Sequence, residues 1–219
     1  MTHARDPHSD TPSAMQSAAV PSAQDFSRGS NASQPAPATE PKDGLIDRIA
    51  KPVVLVGLMG VGKSTVGRRL ASMMGRGFVD ADDAIEDAAQ RSIPEIFEEF
   101  GEAYFRDGER RVIARLMEEH QGVIATGGGA FVDPTTRALI LEKGIAVWID
   151  CDIETLVERT SRRNTRPLLK TGDPREILTR LLNERRPLYA EAHIRVQSDQ
   201  GPHTQTAQAI LRGIEEHLG

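Results

Sequence analysis

The run Gly57-Leu58-Met59-Gly60-Val61-Gly62-Lys63-Ser64-Thr65 constrains this chain more than any other stretch. It fits G-x-x-x-x-G-K-[ST], the phosphate-binding P-loop, and its flanks have the form that loop requires. Before it, Val53-Val54-Leu55-Val56 is a short, mostly β-branched apolar run that reads as a buried strand. After it, Val66, Leu70, Met73 and Met74 recur at helical spacing. Strand, glycine-rich turn and helix together aim backbone N–H groups and a helix N-terminus at phosphate oxygens. In such a loop Gly60, Val61, Gly62, Lys63, Ser64 and Thr65 cradle a nucleoside triphosphate. Lys63 reaches the outer phosphates and the Ser64 hydroxyl ligates Mg²⁺.

Further apolar runs alternate with helical patterns. Gly77-Phe78-Val79-Asp80, Val123-Ile124-Ala125-Thr126, Ile145-Ala146-Val147-Trp148-Ile149-Asp150 and Ile194-Arg195-Val196 read as four more strands. Between the second and third lies a helix with Val112, Ile113, Leu116 and Met117 on one face and Arg110, Arg111, Glu118 and Glu119 outside it. A last helix, over about 204–218, turns Ala207, Ile210, Leu211, Ile214 and Leu218 inward. The expected fold is therefore α/β: a three-layer arrangement with a central parallel five-stranded sheet covered by helices on both faces. Ligands then bind beyond the carboxyl ends of the strands.

Residues 1–45 differ in kind. They are rich in Ser, Ala, Pro, Gln and Thr with no periodic apolar face, and they read as a disordered tail ahead of a domain over 46–219. They hold no continuous apolar core for a signal peptide, and Asp6, Asp10 and Asp25 argue against an acid-poor transit sequence. The formal charge of −5 gives no basic footprint for nucleic acid. No apolar run approaches the roughly 20 residues of a membrane span. The single cysteine, Cys151, suits a reducing compartment, and the expected location is cytoplasmic.

The strand ends carry the remaining chemistry. Asp80-Ala81-Asp82 closes the second strand and brings two carboxylates near the phosphate cradle if that strand neighbours the first. One would support the metal and the other hold a substrate hydroxyl as its proton leaves; a helix N-cap by Asp82 or Asp83 fits the spacing equally well. Gly127-Gly128-Gly129 closes the third strand and offers N–H donors without side-chain obstruction, although a plain turn uses the same residues. Arg106, Arg166 and Arg185 have the planar fork that suits carboxylate and phosphate oxygens, and a solvated charged face is the common alternative.

Taken in order, the P-loop, Asp80-x-Asp82, Arg106, Gly127-Gly128-Gly129, an arginine–proline segment ending Arg166-Pro167 and Arg185-Arg186-Pro187-Leu188-Tyr189 resemble the shikimate kinases. The resemblance runs from about Lys51 to the last residue. It implies a P-loop kinase fold with a small lid over about 160–173 and a substrate-binding region over about 83–109. The implied reaction moves the γ-phosphoryl group of ATP to the 3-hydroxyl of shikimate, on the route to chorismate and aromatic amino acids, with Mg²⁺ as cofactor and a monomeric enzyme. By the same resemblance Asp82 is the proton acceptor, Arg106 and Arg185 clamp the shikimate carboxylate, and Gly128 gives a backbone contact. Asp80 then stands behind the metal that Ser64 ligates, Lys63 binds phosphate, and Arg166 closes over ATP.

Other readings are weaker. A gluconate kinase shares P-loop and sheet but is not expected to repeat the triple glycine and R-x-P-L-Y elements. A nucleoside monophosphate kinase would phosphorylate AMP, CMP or UMP. A switch NTPase would need no small acceptor, and the N-K-x-D base-reading motif of GTPases is absent. Asp150 ends a strand in the manner of a Walker-B carboxylate, but Asp150 or Asp152 also serves as cap for the helix that starts at Ile153. In some relatives a basic residue after the last strand packs on adenine. Here Ser198-Asp199-Gln200-Gly201-Pro202-His203 holds no arginine, which leaves backbone groups around 200–202 for that contact.

Overall fold

The computed structural model describes residues 44–161, 172–199 and 201–219. Five parallel strands form one sheet in the order β2-β3-β1-β4-β5, with β1 Val53–Val56, β2 Phe78–Asp80, β3 Val123–Ala125, β4 Ile145–Asp150 and β5 Ile194–Gln197. Every residue of β1, β3 and β4 is buried, as near-continuous apolar runs demand when helices cover both faces. β5 lies at the edge and alternates buried and exposed residues.

The helices are α1 Leu45–Arg48, α2 Lys63–Met74, α3 Ala81–Ala89, α4 Ile93–Glu119, α5 Pro134–Lys143, α6 Ile153–Ser161, α7 Pro174–Tyr189 and α8 His203–Leu218. A short 3₁₀ turn, Ala130–Val132, follows β3, and α4 is broken at Gly101, which adopts φ 79°. The crossovers from β1 to β2 and from β3 to β4 run in opposite directions along the sheet. Right-handed connections therefore place α2 on one face and α5 on the other. α2 packs with α8 on the first face, while α5 packs with α4 and β4 on the second. Val66, Leu70, Ala71 and Met74 form the buried stripe of α2, and Ala207, Ile210, Leu211 and Ile214 that of α8. No helix among the described residues is long and apolar enough to cross a membrane.

Two details depart from the sequence reading. β2 does not neighbour β1; it pairs with β3, which lies between them. Leu45, assigned from composition to the tail, is 4% exposed and belongs to the hydrophobic core. A bias toward small polar residues upstream does not register one leucine that the fold buries. Residues 1–43, and with them most of the predicted tail, lie outside the described residues, as does most of the predicted lid.

Candidate active site

β1 feeds directly into the P-loop. Gly57, Gly60 and Gly62 hold φ of 136°, 89° and 94°, the left-handed region where a side chain is strained. At Gly57 even a Cβ would stand 2.6 Å from the Ile149 carbonyl oxygen on β4, so the loop lies flat against the sheet end. Lys63 opens α2 with its ammonium turned back over the loop, donating to the carbonyls of Gly57 at 2.8 Å and Leu58 at 3.0 Å. One residue on, the Ser64 hydroxyl donates to Asp80 Oδ2 at 2.6 Å. Asp80 thus reaches the cradle across β3, by way of the first turn of α2.

The cap of α3 is Asp80, whose Oδ1 accepts from the Asp82 N–H at 3.2 Å; neither Asp82 nor Asp83 plays that part. The capping role falls to the residue already in extended conformation, which frees the Asp82 carboxylate for the site. Burial, then the negative charge of Asp80, raise the Asp82 carboxyl from an ordinary 3.8 to about 6, although Lys63 pulls the other way. Its carboxylate lies against the triple glycine: a Cβ on Gly127 would meet Asp82 Oδ1 at 2.7 Å and Glu109 Oε1 at 3.1 Å.

The same three glycines gather both arginines. A Cβ on Gly129 would stand 2.7 Å from Arg106 Nη1, and Arg185 Nη1 donates to the Gly128 carbonyl at 2.9 Å. That carbonyl also accepts from the Tyr189 hydroxyl at 2.5 Å. Arg106 is half-buried on α4, where its Nη1 donates to Glu109 at 2.7 Å and its Nη2 to Glu102 at 3.2 Å. Glu109 is 2% exposed, and burial raises its carboxyl in spite of the Arg106 hydrogen bond and charge. Asp82, Arg106, Gly128 and Arg185 are therefore brought together from α3, α4, the β3 end and α7, beside Lys63, Ser64 and Asp80.

Arg166 falls outside the described residues, and so does Gln200. Asp150 is engaged elsewhere. It is 1% exposed and accepts from Arg195 at 2.6 Å, from Arg186 at 3.3 Å and from the Cys151 N–H at 2.9 Å. Asp152 caps α6 through the Thr155 N–H at 2.8 Å. The structural reading of this pair of aspartates therefore holds.

Several neighbours were not singled out from sequence. Glu109 stands three residues beyond Arg106 on one helix, a spacing that could have disclosed the pair. Arg159, from α6, donates to the Val61 carbonyl at 3.2 Å, to Ser198 at 3.3 Å and to the Asp199 carbonyl at 2.6 Å. It ties the P-loop to the segment after β5, a cation brought from a distant helix where the local sequence has no arginine. A Cβ on Gly62 would stand 3.4 Å from the His203 ring. No local pattern marks Arg159 or His203.

A P-loop at the end of the central strand, a serine–aspartate pair beside it and a carboxylate opposite two arginines define an ATP-dependent kinase of the P-loop class acting on a small molecule. The family model described as shikimate kinase matches residues 59–215. A shikimate kinase of Novosphingobium aromaticivorans is 63% identical over 175 residues, 78% of this chain and 91% of that protein. One from Caulobacter vibrioides is 55% identical over 174 residues, 80% and 87% of the two chains. The solved structure of a shikimate kinase from Acinetobacter baumannii in complex with shikimate superposes with a TM-score of 0.74 at 40% identity, covering 77% of this chain and 95% of the other. A gluconokinase from Sinorhizobium meliloti, at 17% identity and a TM-score of 0.54, covers 77% and 94% and shares the fold alone. The chain belongs to the shikimate kinase family.

Proposed function

We propose that this site transfers the γ-phosphoryl group of ATP to the 3-hydroxyl of shikimate, giving shikimate 3-phosphate and ADP. The observation that carries the reading is the convergence of Asp82, Arg106 and Arg185 on three consecutive glycines. Gly127 and Gly129 are at most about 7 Å apart along the chain, the scale of one six-membered ring. A cationic fork at one end and a hydroxyl acceptor at the other suit a small cyclic anion bearing hydroxyls.

In this reading Arg106 and Arg185 hold the substrate carboxylate and the Gly128 backbone fixes the ring. Asp82 takes the proton from the 3-hydroxyl as its oxygen bonds to the γ-phosphorus and the bond to the departing ADP oxygen breaks. Lys63 exchanges its carbonyl acceptors for phosphate oxygens. Arg166 closes over the nucleotide. Ser64 and Asp80 suit Mg²⁺: the hydroxyl can offer a lone pair to the ion while its own O–H donates to Asp80 Oδ2. Held by Ser64 with Asp80 behind it, such an ion would neutralise charge on the phosphates. The enzyme acts as a cytoplasmic monomer, with residues 1–45 outside catalysis.

A coupled ADP-release assay with MgATP, comparing shikimate, gluconate, AMP and no acceptor, tests the reaction. ADP formation that requires shikimate supports it. Equal ADP formation without acceptor would identify an NTPase and overturn it.

A further inference from the structure

Tyr189 closes the R-x-P-L-Y element, yet it takes no direct part in the proposed reaction. It is the last residue of α7, fully buried, with its ring 6.5 Å from that of Phe131 and 6.1 Å from that of Trp148. Those two aromatic neighbours leave the ring little freedom, so the position of its hydroxyl is set by the core. Burial raises the phenol above its usual range, which keeps the proton on the oxygen and the group a donor. It donates to the Gly128 carbonyl at 2.5 Å. Arg185, one helical turn earlier on the same face, donates to the same carbonyl at 2.9 Å. Gly128 is itself pressed on the P-loop: a Cβ there would meet the Met59 nitrogen at 3.2 Å.

A carbonyl oxygen has two lone pairs, and here each has one donor. With Tyr189 on the first, Arg185 spends one N–H on the second and also hydrogen-bonds the Tyr189 hydroxyl, so phenol and carbonyl together hold one edge of the guanidinium and its remaining N–H groups are left for another acceptor. We infer that Tyr189 is a positioning residue for substrate: by occupying one lone pair of the Gly128 carbonyl, it fixes the direction in which Arg185 presents its guanidinium. Without the hydroxyl, the half-buried carbonyl loses one of its two protein donors. The longer and more flexible arginine then turns a second N–H toward it, away from the carboxylate it should hold. This rests on the reading of Arg185 as a carboxylate clamp.

The test is steady-state kinetics of Tyr189→Phe, Arg185→Lys and the double variant, with both KM values, kcat and Tm for each. The phenylalanine keeps the ring and its packing. The expected result is a KM for shikimate raised about 3- to 10-fold in Tyr189→Phe, with KM for ATP and kcat unchanged. Adding Tyr189→Phe to Arg185→Lys should then raise that KM less than 2-fold, because the fork it directs is gone. An unchanged KM for shikimate in Tyr189→Phe, with Arg185→Lys impaired, overturns this inference alone. Parallel losses toward both substrates with a lowered Tm overturn it in favour of a structural role, as do fully additive effects in the double variant. An Arg185→Lys enzyme with unaltered KM for shikimate overturns the clamp itself.

Discussion

Replacing Asp82 by asparagine should slow the reaction sharply and make the protein more stable. The carboxyl titrates at an ordinary 3.8 in the unfolded chain and at about 6 in the fold, because burial and the neighbouring Asp80 both penalise its charge. Between these pH values the folded protein holds a proton that the unfolded chain has lost, so this group's contribution to stability falls as pH rises through the window. Above pH 6 the whole penalty applies, about 3 kcal/mol from the difference in pKa. Partial solvent screening of a half-buried group reduces it to about 1–3 kcal/mol. Asparagine has the same shape and no charge to desolvate. At pH 7.5 the variant should therefore melt roughly 3–10 °C above the parent. Urea unfolding of both proteins from pH 3.5 to 8 measures the effect: the curves should coincide below pH 4 and separate between pH 4 and 6. Turnover with shikimate should fall by about 10²- to 10⁴-fold. A gap that does not change with pH, or a variant less stable at pH 7.5, would refute the argument that burial strains this carboxylate.

The same titration should appear in the kinetics. Log kcat/KM for shikimate is expected to fall with unit slope below a pH of about 6, since the proton acceptor must be ionised in the free enzyme, and a flat profile down to pH 5 would count against Asp82 in that role. Arg106→Lys should raise KM for shikimate about 10- to 100-fold with little change in KM for ATP, because a point charge replaces a fork already oriented by Glu109; equal effects on both substrates would contradict a carboxylate clamp. Gly57→Ala should cost about 2–4 kcal/mol of stability, measured by urea unfolding, from a positive φ combined with a Cβ at 2.6 Å from a backbone oxygen of β4.

The P-loop, the five strands and the inward faces of α2 and α8 were legible in the sequence, because they follow from local chain geometry. Backbone sterics demand glycine at particular places, and burial on both faces writes itself as an unbroken apolar run. Of the residues that the ordered motifs named, Lys63, Ser64, Asp80, Asp82, Arg106, Gly128 and Arg185 lie together in the fold, while Arg166 lies outside the described residues. Where Asp80 acts could not be read locally. The expectation tied its reach to a strand beside β1, yet it arrives across β3 through the first turn of α2, and in doing so it takes the cap and releases Asp82.

What only the tertiary structure decided are the partnerships between residues far apart in the chain. That Arg185 and Tyr189 share the Gly128 carbonyl, that Arg159 supplies the cation missing after β5, and that Asp150 is held by Arg186 and Arg195 all depend on strand order and on which helix covers which face. A sequence holds residue types and their local spacing, which is enough to specify the phosphate cradle and to propose the reacting groups. Burial, charge proximity and the sharing of one acceptor by two donors depend on distances that exist only once the sheet has ordered its strands. The titration of Asp82 and the direction of Arg185 are accordingly properties of the packed protein.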